Sequence, residues 1–314
     1  MLDVPQLVIH IGYPKAGSTS LQRNLLIDNP EVNLLALIRP PRTGNQLQRS
    51  PITTDFYKSI HLHNDGFDAS ALEQIWRDHF QSWVRDDKLN ALTSEMFTLN
   101  HVPVVEVARR LGSLFSQARI LVVLRRQPDA LRSLYDMFPF PRGTTQYVRF
   151  DTWLDLAFAD PGKSIAGALK YHSVLKAYQD RFGAEQVGVF FFEELFKDEA
   201  AMLRMAQFLR LDPEATKTRL KRKPENSASD HAFGALGRRL LGRFHASDYL
   251  PKKALRAIRK LGAKYYKGKT TALTPEQERR IAAFYAEDNA AAAALLGRDL
   301  GALGYPLPSN LAPG

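Results

Sequence analysis

A lysine, two glycines and three hydroxyl residues stand together in Gly12-Tyr13-Pro14-Lys15-Ala16-Gly17-Ser18-Thr19-Ser20. Glycine permits tight turns, lysine brings a compact positive charge, and hydroxyls donate to oxyanions. Such a set can hold a phosphate-like anion. Its flanks say what must position it. An apolar, β-forming run from Leu7 to Ile11 precedes it, and Leu21, Leu25 and Leu26 follow at helical spacing. A strand, a glycine loop and a helix start aim free N–H groups and the positive end of the helix dipole at an anion. A phosphorylated ligand is therefore expected.

The spacing separates two chemistries. A nucleotide-binding Walker A loop reads G-x-x-x-x-G-K-[ST]. Gly12 and Gly17 have that separation, but Ser18 stands where its lysine belongs, and Lys15 lies inside the loop. No acidic residue ends a second apolar strand as a Mg²⁺-binding aspartate would. The loop suits an anion that needs no metal. Residues 14–22, PKAGSTSLQ, resemble the 5′-phosphosulfate loop of sulfotransferases, commonly PKTGTTSLQ. Those enzymes use 3′-phosphoadenosine 5′-phosphosulfate (PAPS). The resemblance implies that Lys15, Ala16, Gly17, Ser18, Thr19 and Ser20 bind the cofactor. It also implies that Lys15 neutralises charge on the leaving 5′-phosphate.

A second segment tests this reading. Residues 118–135 read ARILVVLRRQPDALRSLY, with a continuous apolar run from Ile120 to Leu124, as in a strand buried on both faces. Arg125 and Arg126 end it, where ligands collect in open parallel sheets. Pro128 is placed for a helix start. The segment resembles the sulfotransferase 3′-phosphate motif, in which an arginine ends the strand and a serine follows eight residues later. Arg125 and Ser133 fit that separation. The proline stands three residues after Arg125, whereas many relatives have it two after. If the proline sets the register, Arg126 becomes the ligand and Leu134 replaces the serine. Arg125 with Ser133 is preferred, because serine bonds phosphate and leucine cannot. A late basic turn, Lys221 to Ser227, resembles the loop that folds over the 3′-phosphate, which makes Arg222, Lys223 and Ser227 candidate contacts.

An acceptor hydroxyl is a poor nucleophile, so a general base is expected within hydrogen-bond reach. Glu95 ends the predicted strand of LNALTSEMF (89–97) and is the first candidate; a salt-bridged or helix-capping glutamate is the alternative. His61 and His63 are rival bases and candidate substrate contacts, followed by His101. His10, inside a strand, reads as a core residue. No ligand set for a catalytic metal is evident.

Composition frames these sites. The 314 residues are 45% hydrophobic, enough for a sizeable core, and contain no cysteine, which excludes disulfides and thiolate metal sites. No apolar run approaches membrane-spanning length, and the N-terminus lacks a signal-peptide pattern. A soluble, cytoplasmic, bacterial-type enzyme is expected. The charge is uneven. Eleven lysines and arginines fall between Arg238 and Lys269 against one acid, Asp248, an excess equal to the whole chain's +10. With interleaved leucines and aromatics, 238–270 reads as a basic helical region. It suits an anionic glycan, the inner membrane surface or the cofactor, or is a solvated face. No nucleic-acid motif is present.

Strands are expected at about 7–12, 89–95, 119–125 and 186–192. Helices are expected at 18–28, 69–86, 103–114, 128–138, 150–158 and 164–181, in a hairpin after Phe192, and at 273–297. Residues 30–65 read as a polar loop region for substrate contact. Alternating strands and helices predict an α/β fold: a P-loop-like parallel sheet flanked by helices on both faces, in a single domain over 1–314. The resemblance implies a carbohydrate-type sulfotransferase acting on a carbohydrate or glycolipid hydroxyl. Two alternatives remain: a P-loop nucleotide kinase, and a non-catalytic PAPS- or polyanion-binding protein.

Overall fold

The computed structural model describes residues 2–27, 29–35, 38–39, 48–49, 51–61, 66–98, 102–137, 148–162, 164–222 and 272–308. Its centre is a five-stranded parallel sheet: β1 (Leu7–His10), β2 (Val32–Leu34), β5 (Leu89–Thr93), β6 (Arg119–Leu124) and β7 (Val187–Phe191). The order across it is β2-β5-β1-β6-β7. Every residue of β1, β5 and β6 is buried, as continuous apolar runs covered on both faces require. The register levels the strand ends that matter: His10 pairs with Thr93 on one side and Leu121 on the other. The chain leaves β1 for β2, returns to β5, then crosses to β6 on the far side of β1. That reversal opens a crevice at the C-terminal ends of the strands beside β1.

Helices cover the sheet. They are α1 (Ser18–Leu21), α2 (Pro51–Ile60), α3 (Ala69–His79), α4 (Val104–Leu114), α5 (Gln127–Met137), α6 (Phe150–Ala159), α7 (Ile165–Ala168), α8 (Tyr171–Phe182), α9 (Phe192–Leu195), α10 (Glu199–Leu209), α11 (Pro213–Leu220) and α12 (Pro275–Leu296). The expected first helix changes character after one turn: α1 continues as a π-helical segment, Gln22–Leu26. The expected helix 164–181 is broken into α7 and α8. Helix α12 opens with a capping box, Thr274 accepting from the Gln277 N–H and the Gln277 side chain accepting from the Thr274 N–H. Helix α12 then docks on the rest of the fold: Tyr285 donates to the Ala166 carbonyl at 2.8 Å, and Asn289 pairs with Gln127 at 2.7 Å in the core. Gln127 opens α5, so this contact fixes the helix that follows Arg125 and Arg126.

The polar segment 30–65 differs from a loop. Within it lie β2, at the sheet edge, a short antiparallel pair formed by β3 (Ile38–Arg39) and β4 (Gln48–Arg49), and α2. Helix α2 forms because Thr53, Phe56, Tyr57 and Ile60 share one buried face. Its aromatic rings join Trp76, Phe80 and Phe115 in one cluster.

Candidate active site

The loop after β1 is shaped by backbone geometry. Lys15 and Gly17 both have positive φ, 68° and 84°. Gly17 suits that conformation, and a Cβ there would also strike the Phe192 and Phe196 rings. Gly12 is needed for space: a Cβ would lie 2.5 Å from His10 Nε2 and 2.8 Å from Ser18 Oγ. Ser18 donates to the Tyr13 carbonyl at 3.0 Å, closing the loop from within. The Gly17 cap leaves no side chain on the first N–H groups of α1, which Ser18, Thr19 and Ser20 present to an incoming anion.

Arg125 comes to this loop from the end of β6. Its Nη1 donates to the Lys15 carbonyl at 2.7 Å, and its guanidinium lies 4.6 Å over the Phe192 ring. Its Nε is buried without a hydrogen-bond partner among the described residues, and burial presses the pKa of the group down. A half-sheltered cation with an unused donor suits an anionic ligand. Arg126 is arranged differently. Its side chain pairs with Asp129, 2.9 Å from Nε, and stands 3.9 Å from Glu193. The two neighbouring arginines thus divide: Arg126 is occupied by carboxylates, and Arg125 reaches the loop. Ser133 is half-buried in α5, past its second turn.

The turn after β5 is stitched to the same loop. The Ser94 N–H donates to the His10 carbonyl at 3.0 Å, and the Thr98 hydroxyl donates to the Gly12 carbonyl at 3.2 Å. Glu95 starts this 3₁₀ turn, Glu95–Thr98, and is half-buried. His61, just past α2, stacks on Phe97 of the turn, with ring centroids 5.8 Å apart. His61 therefore packs on the turn that Glu95 opens, with both of its ring nitrogens buried. His10 is a core residue as expected: it is fully buried, its Nδ1 bonds Thr93 Oγ1 at 2.8 Å, and burial lowers its pKa to about 4. Gln22 also donates to Thr93 Oγ1, at 2.9 Å.

Arg222 is exposed at the end of α11, and its carbonyl accepts from Asn24 of the π-helical segment at 3.3 Å. The late basic turn thus starts beside the helix that follows the loop. Lys223, Ser227, His63 and His101 lie outside the described residues, as does the basic region 238–270. A cleft of 320 Å³ runs along β7, lined by Val187, Val189, Phe191, Glu194, Arg204 and Arg298, away from the glycine loop.

Three positioning residues lie outside the candidates read from the sequence. Tyr171 donates to the Arg125 carbonyl at 2.5 Å. Glu193 accepts from the Arg126 N–H at 3.0 Å and from the Tyr305 hydroxyl at 3.2 Å. Phe192 walls both Gly17 and Arg125. Glu193 belongs to an acidic pair visible in the sequence, whereas nothing in the local pattern marks Tyr171.

A five-stranded parallel sheet with a glycine loop at its switch point and an arginine beside that loop defines an α/β fold. The sulfotransferase domain model matches residues 5–232, and the chain belongs to the sulfotransferase family. It is an enzyme of that family, which favours sulfuryl transfer over the kinase and non-catalytic alternatives. Among solved structures, a sulfotransferase from Alicyclobacillus acidocaldarius is similar in fold, with 19% identity and a TM-score of 0.56, over 96% of this chain and 99% of the other. A mouse sulfotransferase, SULT7A1, complexed with PAP, aligns at 16% identity and a TM-score of 0.48, over 95% and 88% of the two chains. No curated protein matches in sequence. Among the described residues, no helix is long and apolar enough to cross a membrane.

Proposed function

We propose that this chain transfers a sulfuryl group from PAPS to an acceptor hydroxyl on a carbohydrate or glycolipid. One observation carries the reading: the glycine loop and Arg125 meet, 2.7 Å apart, at the switch point of the sheet. PAPS, when bound, supplies an activated sulfuryl group on a 5′-phosphate. The N–H groups of Gly17 to Thr19 and the hydroxyls of Thr19 and Ser20 hold that phosphate, with the Ser18 hydroxyl kept to close the loop. Lys15 neutralises the charge that develops on the leaving phosphate oxygen, the kind of positioned electrostatic stabilisation that dominates such transfers. Arg125 and Ser133 receive the 3′-phosphate, with Arg222, Lys223 and Ser227 closing over it. Glu95 takes the proton of the acceptor hydroxyl as its oxygen bonds to sulfur.

The polar composition of 30–65 supports a carbohydrate-type acceptor. The shared core of the sheet, α12 and Tyr305 supports one domain over 1–314. Cytoplasmic location belongs to the same reading. Calorimetric titration with adenosine 3′,5′-bisphosphate, AMP and ATP–Mg²⁺ tests the cofactor. Micromolar binding of the bisphosphate, with far weaker binding of the others, is expected. Binding of ATP–Mg²⁺ without preference for the bisphosphate overturns it. Screening acceptors with PAPS then decides the carbohydrate assignment.

A further inference from the structure

We infer that Arg125 is a strut for the glycine loop as well as a phosphate ligand, so that one side chain couples the two ends of the nucleotide site. The inference rests on the function proposed above for the identity of the ligand, and on geometry for the strut. Three observations converge on it. Lys15 has a left-handed backbone, φ 68°, which a non-glycine residue adopts only at a cost in strain. The surroundings must therefore hold it there. The group on Lys15 that would swing as this backbone relaxed is its carbonyl, and that carbonyl accepts the Arg125 Nη1 bond at 2.7 Å.

Arg125 is itself built as a rigid mount. Its carbonyl is held by the Tyr171 hydroxyl at 2.5 Å, and the next N–H, on Arg126, is held by Glu193 at 3.0 Å. Its guanidinium is fixed over Phe192, the ring that also packs against Gly17. The free Nε donor leaves capacity for an anion while Nη1 stays on the loop. A 3′-phosphate bound at this guanidinium would hold Nη1 on the Lys15 carbonyl, and the strut so held presents the loop N–H groups to the 5′ end. Recognition of the 3′-phosphate then raises affinity at the 5′-phosphosulfate without direct contact between them. Arg125 acts on the loop as a positioning residue.

The experiment is amide hydrogen exchange on the ligand-free protein, paired with titration of AMP and adenosine 3′,5′-bisphosphate. Arg125→Ala removes the strut, Arg125→Met removes it while keeping side-chain volume on Phe192, and Arg126→Ala serves as the control. Exchange of loop amides 13–18 is expected to rise about tenfold in both Arg125 variants, with the β6 amides unchanged. AMP, which carries no 3′-phosphate, should bind about tenfold more weakly, and the bisphosphate about 100-fold more weakly. Arg126→Ala should leave the loop exchange and both affinities within about threefold. If loop exchange and AMP affinity stay at wild-type values while bisphosphate affinity falls, Arg125 is a 3′-phosphate contact alone and the strut is overturned. If the wild-type protein shows no preference for the bisphosphate, the cofactor assignment fails, and the exchange data still decide the strut. Should Arg125→Ala not fold, Arg125→Met gives the same two readings.

Discussion

The loop after β1 and the turn after β5 lie side by side at one end of the sheet, yet they are built by different means. The loop is a backbone construction. Two positive-φ residues, a glycine with no room for a Cβ, and bonds to the carbonyls of Gly12, Tyr13 and Lys15 define its shape. The turn is a side-chain assembly. Glu95 comes from the end of β5, and His61 arrives from α2 by stacking on Phe97. A site for a fixed anion can be made of N–H groups, which every residue carries and which only loop geometry must aim. A site that takes a proton from an acceptor needs particular side chains within reach, and these can come from anywhere in the fold. The difference suits the two jobs proposed for them: a constant nucleotide at the first, an acceptor of its own kind at the second.

Lys15→Ala is expected to have the largest effect on this division. It removes the one charged side chain of the loop, and turnover should fall about 10³-fold or more. Bisphosphate affinity and thermal stability should change little, because the loop is held through backbone groups. Steady-state sulfation with labelled PAPS, alongside circular-dichroism melting, separates these outcomes. Near-wild-type turnover would remove Lys15 from the chemistry.

Glu95→Gln acts on the other half and should cut kcat about 10²-fold, within the usual range for loss of a general base. The amide keeps the shape of the turn, so affinity for adenosine 3′,5′-bisphosphate should stay at the wild-type value. A kcat that is unchanged would pass the base role to a histidine, with His61 first in line because it already stacks on the turn. A matching loss of nucleotide affinity would instead show that the two halves are not separable.

The same contrast explains what could be read from the chain before its fold. The strands β1, β5, β6 and β7 announce themselves as short, mainly apolar runs, because burial on both faces favours apolar residues and admits polar ones such as His10, Asn90 and Thr93 only with hydrogen-bond partners. The glycine loop is legible because backbone chemistry demands fixed residue types at fixed spacing. Strand β2 was missed: three residues at a sheet edge carry too little pattern to stand out from polar surroundings. Helix α2 was missed because a threonine, two aromatics and an isoleucine make its buried face, inside a segment rich in proline and polar residues. In the sequence, proline spacing raised Arg126 as an alternative, and Arg125 was preferred because Ser133 can bond phosphate where Leu134 cannot. In the structure, Glu193 and Asp129 engage Arg126, and no local pattern could have named Glu193 as its partner. Pairings between distant elements are what sequence spacing leaves out.

His10 sits at the seam between the two halves, and its titration gives the last and smallest expected effect. It ends β1, bonds Thr93 at the end of β5, and presses against Gly12 of the loop. Burial lowers its pKa from 6.5 to about 4, so it is neutral in the folded protein near neutral pH. As pH falls through 6.5, the unfolded chain gains a proton at this histidine while the folded chain does not. Stability from this group is therefore full above 6.5 and declines as pH falls toward 4. Between about pH 7 and about pH 5 the loss is about 2 kcal/mol. The Glu106 carboxylate, held down to about 2 chiefly by its hydrogen bond from Arg109, titrates below this window and does not mask it. Chemical denaturation of the wild type and His10→Gln at the two pH values measures the difference. The variant retains a hydrogen-bonding group toward Thr93 and should lose about 2 kcal/mol less on acidification. Parallel losses would mean that His10 takes up its proton as readily folded as unfolded. The seam would then be open to water, and the loop and the turn would be joined by the Ser94 N–H and Thr98 hydroxyl bonds without help from a dry His10.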